Sequence, residues 1–196
     1  MTVQADPKIL DVAERLIKER GYHSVVMADI ANEAGVALPA VQSHYADKEA
    51  IMTALLEKHS PKSEMLQALS QIRSGSAEEM VRDAMRLMIE TFNQHNAFAE
   101  LAVIDMQVNE GAFIAQFFSD LTGQGASFVM RLSAMPGMRP ISSIMLGRAF
   151  ASMLVGFMAT QHVAPSMVQF AMRMFPQDAW VDGMADIFLY GILEPE

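Results

Sequence analysis

The sequence D-I-A-N-E-A-G-V-A-L-P-A-V-Q-S-H-Y-A-D-K, residues 29–48, decides how the chain folds. Apolar residues recur at helical spacing on both sides of Gly35, and glycine favours the left-handed backbone found where a helix ends. Val36 follows and can fill the angle between the two helices. The pattern predicts a helix-turn-helix, two short helices joined by a tight turn. The residues that carry the periodicity are Ile30, Ala31, Ala34, Leu38, Val41 and Tyr45.

The residues on either side of this stretch favour a DNA-reading motif over an ordinary corner in an all-helical protein. An apolar stripe and then Gly21-Tyr22 precede it, and H-Y-x-x-K-E-x-I closes it from residue 44 to residue 51. In this order, with I-A-x-x-A-G-V between them, these elements resemble the N-terminal domain of TetR-family transcriptional regulators. The resemblance covers about the first third of the chain. The stripe consists of Ile9, Leu10, Ala13 and Leu16.

The resemblance implies an all-α fold of about nine helices. Residues 1–47 would form a three-helix DNA-binding domain that contains the helix-turn-helix. Residues 48–196 would form a helical bundle that binds a ligand and makes a homodimer. In such a dimer, each subunit places one recognition helix in a DNA major groove, which suits a palindromic operator.

Helical patterns continue to the end of the chain, with no alternation typical of strands and no internal repeat. S-A-E-E at residues 76–79 has the spacing of a capping box ahead of an apolar run. We predict helices over residues 7–20, 27–34, 38–45, from 48 onwards, 76–94, 98–104, 113–132, 141–162, 165–175 and 178–193. Asp6 would cap the first helix; Pro61 and the Ser74-Gly75-Ser76 turn would interrupt the connection after residue 48.

The composition is that of a globular protein, with 52% apolar and 19% charged residues and no cysteine. No basic-then-apolar signal precedes the first helix, and the most apolar segment, residues 141–159, contains Arg148 and several serines. We therefore expect a cytoplasmic protein with no membrane partner. The net charge is −9, and residues 1–60 carry six bases against nine acids. This balance counts against strong non-specific DNA binding, since phosphate contacts supply most of that affinity.

The second helix of the motif is the predicted DNA reader, and it departs from the family pattern. A threonine is usual where this chain has Val26, a hydroxyl where it has Ala37, and an aromatic residue where it has Gln42. Gln42 could still pair with an adenine edge, while hydroxyl, imidazole and ammonium groups could reach phosphates. The predicted DNA-binding residues are Ala37, Ala40, Gln42, Ser43, His44 and Lys48.

Methionine and phenylalanine are abundant in the remainder of the chain, with 18 and 11 residues in the whole sequence. Methionine fills irregular space and suits adaptable apolar sites, although it also serves as plain core filler. Together with the family's usual cavity, this predicts a pocket for a small hydrophobic effector. The predicted lining is Met88, Thr91, Phe92, His95, Phe98, Leu101, Gln107, Phe113, Gln116, Phe117 and Met130.

The helix predicted over residues 141–162 is apolar almost all round, so it must be covered on every side. The family resemblance implies that it and the last helix form a four-helix dimer interface; burial within one subunit is the alternative. The predicted interface residues are Met145, Ala149, Met153, Gly156, Phe157, Ile187 and Tyr190. Arg131 and Arg148, which interrupt apolar helices, are predicted to form ion pairs with Asp105 or Glu100.

The sequence contains no nucleophile elbow, phosphate-binding loop or histidine pair at metal-binding spacing. We therefore expect no enzymatic activity, no metal and no cofactor. The predicted function is a homodimeric transcriptional regulator, most simply a repressor, that responds to a small hydrophobic ligand and binds double-stranded operator DNA. The alternative is a protein of the same fold that has lost operator binding and acts as a protein-binding co-regulator.

Overall fold

The computed structural model describes residues 7–73 and 75–192. The predicted cap at Asp6, the turn residue Ser74 and the predicted helix end at residue 193 lie outside the described residues. Within those ranges the chain forms α-helices and a short 3-10 turn at Tyr22–Ser24, with no strand. The helices are α1 Pro7–Arg20, α2 Met27–Ala34, α3 Leu38–His44, α4 Lys48–His59, α5 Lys62–Gln71, α6 Ala77–Gln94, α7 Asn96–Val108, α8 Ala112–Ser133, α9 Ser143–Val163, α10 Ser166–Arg173 and α11 Gln177–Ile192.

This architecture confirms the predicted all-α class, and the predicted bounds of α1 and α2 match the structure. The described residues form eleven α-helices rather than about nine. The segment after residue 59 accounts for one of the differences, since Pro61 ends α4 and a separate helix, α5, then starts at Lys62. Met65 and Leu69 on α5 are buried, so this unpredicted helix belongs to the core.

Side-chain caps fix where several helices begin. The Asp47 carboxylate accepts a hydrogen bond from the Ala50 N–H at 2.8 Å and starts α4. At the start of α6, the Ser76 hydroxyl accepts from the Glu79 N–H at 3.1 Å. The Glu79 carboxylate in turn accepts from the Gly75 N–H at 3.0 Å. The two bonds satisfy N–H groups that have no partner within the helix, so the capping predicted for Ser76 is confirmed.

One connected hydrophobic core runs from α1 to α11. Helix α4 links its two ends, because it packs against α1 in the helix-turn-helix region and against α7 in the bundle. Four side chains of α4 are fully buried: Ile51, Met52, Leu55 and Leu56. This burial couples the helix-turn-helix region to the bundle through α4. None of the helices in the described ranges has both the length and the apolar character needed to cross a membrane.

The ion pairs predicted for Arg131 and for Asp105 are wrong. Arg131 donates to the carbonyls of Leu69 and Ile72, both at 2.9 Å, and so satisfies the free end of α5. Asp105 is buried, and it accepts from the Ile114 N–H at 3.3 Å and from the Asn109 side chain at 3.2 Å. These bonds hold the turn between α7 and α8, where a buried carboxylate needs donors to offset its desolvation.

Candidate nucleic-acid interface

The turn between α2 and α3 has the geometry that the sequence predicts. Gly35 adopts φ 70° and ψ 32°, the left-handed conformation that costs glycine least. Its N–H bonds to the carbonyls of Ala31 and Asn32, and the Val36 N–H bonds to the Ala31 carbonyl at 3.0 Å. This pattern closes the end of α2 and sets the direction in which α3 leaves the turn.

Helix α2 starts directly after Val26, which has no side-chain hydroxyl to cap the helix. A valine side chain accepts no hydrogen bond, so it leaves the first N–H groups of α2 without a side-chain cap. The Asp29 carboxylate compensates in part, since it accepts from the Val26 N–H at 3.1 Å. Helix α3 likewise starts without a side-chain cap, at Ala37. The Asp29 and Ala40 N–H groups bond instead to the carbonyls of Val26 and Ala37, at 3.0 and 2.9 Å.

Helix α3 divides into a buried face and an exposed face. Val41 is fully buried, and Tyr45, just past the helix, is also buried. Four of the predicted DNA-binding residues are exposed together on the opposite side: Ala37, Ala40, Gln42 and Ser43. The Ser43 hydroxyl donates to the Ala40 carbonyl at 2.7 Å, so towards a phosphate it can only accept. Gln42 therefore provides the exposed amide at the centre of this surface.

His44 lies at the edge of the exposed face and is half-buried. Its Nδ1 atom is buried and has no hydrogen-bond partner among the described residues. The ring also rests against Tyr45, with centroids 6.4 Å apart. Because Nδ1 faces the protein, Nε2 is the ring atom that can donate to an external acceptor.

Lys48 has a structural role that the sequence did not indicate. Its ammonium donates to the carbonyls of Tyr22 at 2.7 Å and Val25 at 2.9 Å, and it lies 4.1 Å from the centre of the Tyr22 ring. Burial, followed by the negative charge of Glu49, raises the pKa of Tyr22 to about 12. Two of the three ammonium N–H groups thus join the start of α4 to the loop before α2. Only the third N–H of the ammonium is left to contact DNA, and that contact stays a prediction.

Ion pairs occupy three further basic residues of the N-terminal region. Arg15 binds Glu33 at 2.7 Å, Lys18 binds Glu14 at 3.1 Å, and Lys58 binds Asp11 at 2.7 Å. The Arg15 and Lys58 pairs link α1 to α2 and α4, whereas the Lys18 pair lies within α1, and all three neutralise charge that could attract phosphates. The exposed surface of α3 itself carries no lysine or arginine. Recognition by this surface would therefore depend on hydrogen bonds and shape more than on charge.

A hydrogen-bond network joins α1 to the bundle beneath the helix-turn-helix. The Glu14 carboxylate lies 2.7 Å from Nε2 of His59, at the end of α4. The His59 carbonyl lies 3.1 Å from Nδ1 of His95, and Nε2 of that ring lies 3.0 Å from the Glu64 carboxylate. His95, predicted to contact a ligand, instead holds α5 to the break between α6 and α7. The network connects α1 to α5 and to the break between α6 and α7, so a movement of these parts of the bundle would be transmitted to α1.

The pKa of Glu14 makes part of this junction sensitive to acid. Burial acts to raise that pKa, but hydrogen bonds from His59 and Lys18 outweigh it and hold the pKa below its ordinary value of 4.5. Stability from a depressed carboxylate is complete above its unfolded pKa and is lost as the pH falls through its lower folded pKa. We expect Glu14→Gln to lower the free energy of unfolding by about 1 kcal/mol at pH 7, with a smaller difference below about pH 4. Urea unfolding at both pH values measures this.

Glu57→Gln is the matched control, because Glu57 is an exposed carboxylate on α4 and forms no ion pair with the described residues. It should leave the free energy of unfolding within about 0.5 kcal/mol of wild type at both pH values. Equal losses for the two variants, or a Glu14→Gln loss that grows in acid, would contradict the assignment.

The phenylalanines predicted to line a ligand pocket fill the core instead. Phe98 lies at the centre, with ring centroids 6.1 Å from Phe92, 6.4 Å from Phe113 and 5.0 Å from Phe117. Rings at these distances pack against each other and leave no room for a ligand between them. Thr91 and Leu101 are buried in the same region.

The other predicted lining residues are dispersed. Gln107 is exposed on α7, and the exposed Gln116 donates to Asp120 at 2.7 Å. Met88 lines a small apolar cavity of about 50 Å³ between α5, α6, α8 and α9. Met130 lines a separate open groove of about 860 Å³ between α8 and α9. The structure therefore does not bring the predicted set together, and it places the open space further along the bundle.

The predicted dimer residues lie mainly on one exposed apolar face of α9 and α11. Met145 on α9 is 66% exposed, and Ile187 and Tyr190 on α11 are 68% and 88% exposed. The two helices contact each other through the rings of Phe150 and Phe188, with centroids 5.5 Å apart. Ala149 and Gly156 are exposed, Met153 is half-buried, and Phe157 points into the subunit's own core.

Comparison with known proteins identifies the helix-turn-helix. Residues 9–55 match the family described as bacterial regulatory proteins, tetR family. The match covers about a quarter of the chain and shows that this N-terminal region is similar to the tetR family. The matched residues span α1 to α4, up to Leu55, so the match covers the turn at Gly35 and the exposed helix α3.

Proteins similar to this chain include the HTH-type transcriptional regulator EthR of Mycobacterium tuberculosis. The two are 31% identical over 91 residues, which cover 45% of this chain and 42% of EthR. The chain is also 35% identical over 52 residues to the HTH-type transcriptional activator FasR of Mycolicibacterium smegmatis, with 26% and 24% covered. The chain thus spans less than half the length of these curated relatives.

Solved structures extend the likeness to the bundle. The fatty acid degradation regulator FadR from Bacillus halodurans aligns with a TM-score of 0.67 at 16% identity, covering 95% of this chain and 96% of that one. A regulator from Saccharomonospora viridis in complex with choline aligns with a TM-score of 0.64 at 17% identity, covering 96% and 97%. At such identities the likeness establishes a shared fold and leaves the ligand open.

Proposed function

We propose that this chain is a homodimeric, DNA-binding transcriptional regulator of the bacterial cytoplasm, most simply a repressor, and that α3 enters the major groove of its operator. The observation that carries the proposal is the exposed face of α3, where Ala40, Gln42 and Ser43 point away from a helix that Val41 and Tyr45 anchor in the core. The side-chain amide of Gln42 offers one donor and one acceptor, the pair that an adenine edge requires.

The proposed dimer uses the apolar face of α9 and α11. Exposed methionine, isoleucine and tyrosine side chains there would lose contact with water if a second copy packed against them. A twofold arrangement of four helices pairs this surface with itself. It would also present two copies of α3 to successive major grooves on one side of a duplex.

The proposed effector would act through α4. This helix packs against both α1 and α7, and the Glu14–His59–His95–Glu64 network joins the same two regions. A ligand that binds one arrangement of the bundle more tightly than the other would shift α4 and change the separation of the two α3 helices. Domain bounds at 1–47 and 48–196 remain part of this proposal.

A mobility-shift titration with the DNA upstream of its own gene tests the function at low salt. Wild-type dimer should shift this DNA at submicromolar concentration. Gln42→Ala should weaken binding by about tenfold, since a bidentate contact to a base is worth about 1–3 kcal/mol. Gln107→Ala, which removes an exposed amide on α7, is the matched control and should bind like wild type.

A protein-binding co-regulator is the alternative function, and a specific observation favours it. Arg15, Lys18 and Lys58 are held in ion pairs, and the α3 surface carries no lysine or arginine. If folded dimer gives no shift at micromolar concentration in low salt, this alternative replaces the proposed DNA-binding function.

A further inference from the structure

An open apolar groove lies between α8 and α9, and one charged side chain lines it. The groove has a volume of about 860 Å³, within the roughly 300–1,000 Å³ usual for small-molecule sites. Its walls are mainly apolar and include Phe118, Val129, Met130 and Ile144. Arg148 supplies the charged group, and no aspartate or glutamate is among the described residues that line the groove.

Arg148 is one of several arginines that have no carboxylate partner among the described residues, and it lines an apolar groove. Arg15, Arg82 and Arg86 each pair with at least one carboxylate. Arg148 forms no ion pair or hydrogen bond with the described residues, so the ion pair predicted for it from the sequence is wrong. In a chain with 23 acidic residues against 14 basic ones, an arginine beside an apolar groove that has no partner among the described residues is available to an external anion.

The groove also reaches towards the core. Its lining shares Phe118, Thr122, Val129, Gly147 and Ala151 with the cavity of about 50 Å³ beneath it. The α9 residues of the lining run from Ser143 to Gly156, a length of about 20 Å at 1.5 Å per residue. Arg148 lies within this length, so an aliphatic chain whose head group is beside Arg148 has about 12 Å of groove between Arg148 and Gly156.

From this geometry we infer that the groove binds an amphiphilic carboxylate, whose head group pairs with Arg148 and whose apolar tail lies along α9. The planar guanidinium can donate two parallel hydrogen bonds to one carboxylate. Ser152, one helical turn further along the same face, lines the groove and can donate its hydroxyl to the same head group. The inference deepens the effector part of the proposed function, because it gives the ligand a site and a chemical class.

Isothermal titration calorimetry with dodecanoate below its micellar concentration tests the site, with uncharged methyl dodecanoate below its solubility limit as the comparison. Dodecanoate should bind the wild-type protein at least about tenfold more tightly than the ester, because hydrogen bonds to charged groups are the stronger ones. Arg148→Gln should remove that preference by weakening dodecanoate alone, whereas Arg148→Lys should keep part of it.

A second pair of variants tests whether the tail occupies the groove. A Cβ at Gly123 would meet nothing within 4 Å, so a larger side chain there enters the groove without disturbing the packing. Gly123→Phe should weaken both compounds at least about tenfold by filling the groove, while Gly123→Ala, its matched control, should bind both like wild type.

Three results would overturn the inference: no dodecanoate binding to folded wild type, equal affinities for acid and ester, or unchanged dodecanoate affinity in Arg148→Gln. If a second copy of the chain covered the groove, dodecanoate would not bind to the folded wild-type protein. The calorimetry contains no DNA, so its outcome stands whether or not the mobility-shift experiment detects DNA binding.

Discussion

Replacing Phe98 by alanine should lower the free energy of unfolding by about 3–5 kcal/mol, the range for removing a buried aromatic ring. Phe98 is 1% exposed, and its ring contacts those of Phe92, Phe113 and Phe117. Removal of the central ring leaves a cavity and three rings without their partner, which is why the loss exceeds the transfer free energy of the side chain. Urea unfolding followed by circular dichroism measures it.

Met106→Ala is the control on the same helix, because Met106 is 57% exposed. It should change the free energy of unfolding by no more than about 0.5 kcal/mol. A loss below about 1 kcal/mol for Phe98→Ala would show that the bundle rearranges to fill the space. It would contradict the account of a packed aromatic core where a ligand pocket was predicted.

Replacing Ile187 by aspartate should raise the dissociation constant of the proposed dimer by about 100-fold or more, since an unpaired buried charge costs about 3–5 kcal/mol. Ile187 is 68% exposed in the single chain, so the variant subunit should still fold. Sedimentation velocity over a range of concentrations measures the change in assembly, and circular dichroism confirms the fold.

Met106→Asp is the matched control for assembly, because it places the same charge on an exposed apolar residue of α7, away from the proposed interface. It should assemble like wild type. If both variants remain dimers, or the wild-type chain is a monomer at micromolar concentration, the interface does not lie on α9 and α11. The operator model would then lose its second recognition helix.

The helix-turn-helix could be predicted from sequence nearly residue by residue, because its signals are local. Helical spacing, the glycine at the end of α2 and the aspartate cap of α4 each act within one or two turns of the chain. The predicted reading face of α3 is exposed as expected for Gln42 and Ser43. Local patterns also gave the capping of α6 by Ser76.

The ligand site could not be predicted in the same way, because it depends on how distant helices pack. Periodicity shows that Phe98 and Phe117 face inward, but it does not show whether inward residues touch each other or surround a space. The role of Lys48 was missed for a similar reason, since its carbonyl partners at Tyr22 and Val25 lie more than 20 residues earlier. That Arg148 has no ion-pair partner among the described residues likewise follows from its neighbours in space.

Selection of bound duplexes from a randomised DNA pool is the most direct test of the central claim that α3 reads DNA. The folded wild-type dimer should enrich a palindromic sequence with half-sites about one helical turn apart, and Gln42→Ala should relax the preference at one position of each half-site. Absence of any enriched sequence, or the same enriched sequence for wild type and Gln42→Ala, would contradict the claim.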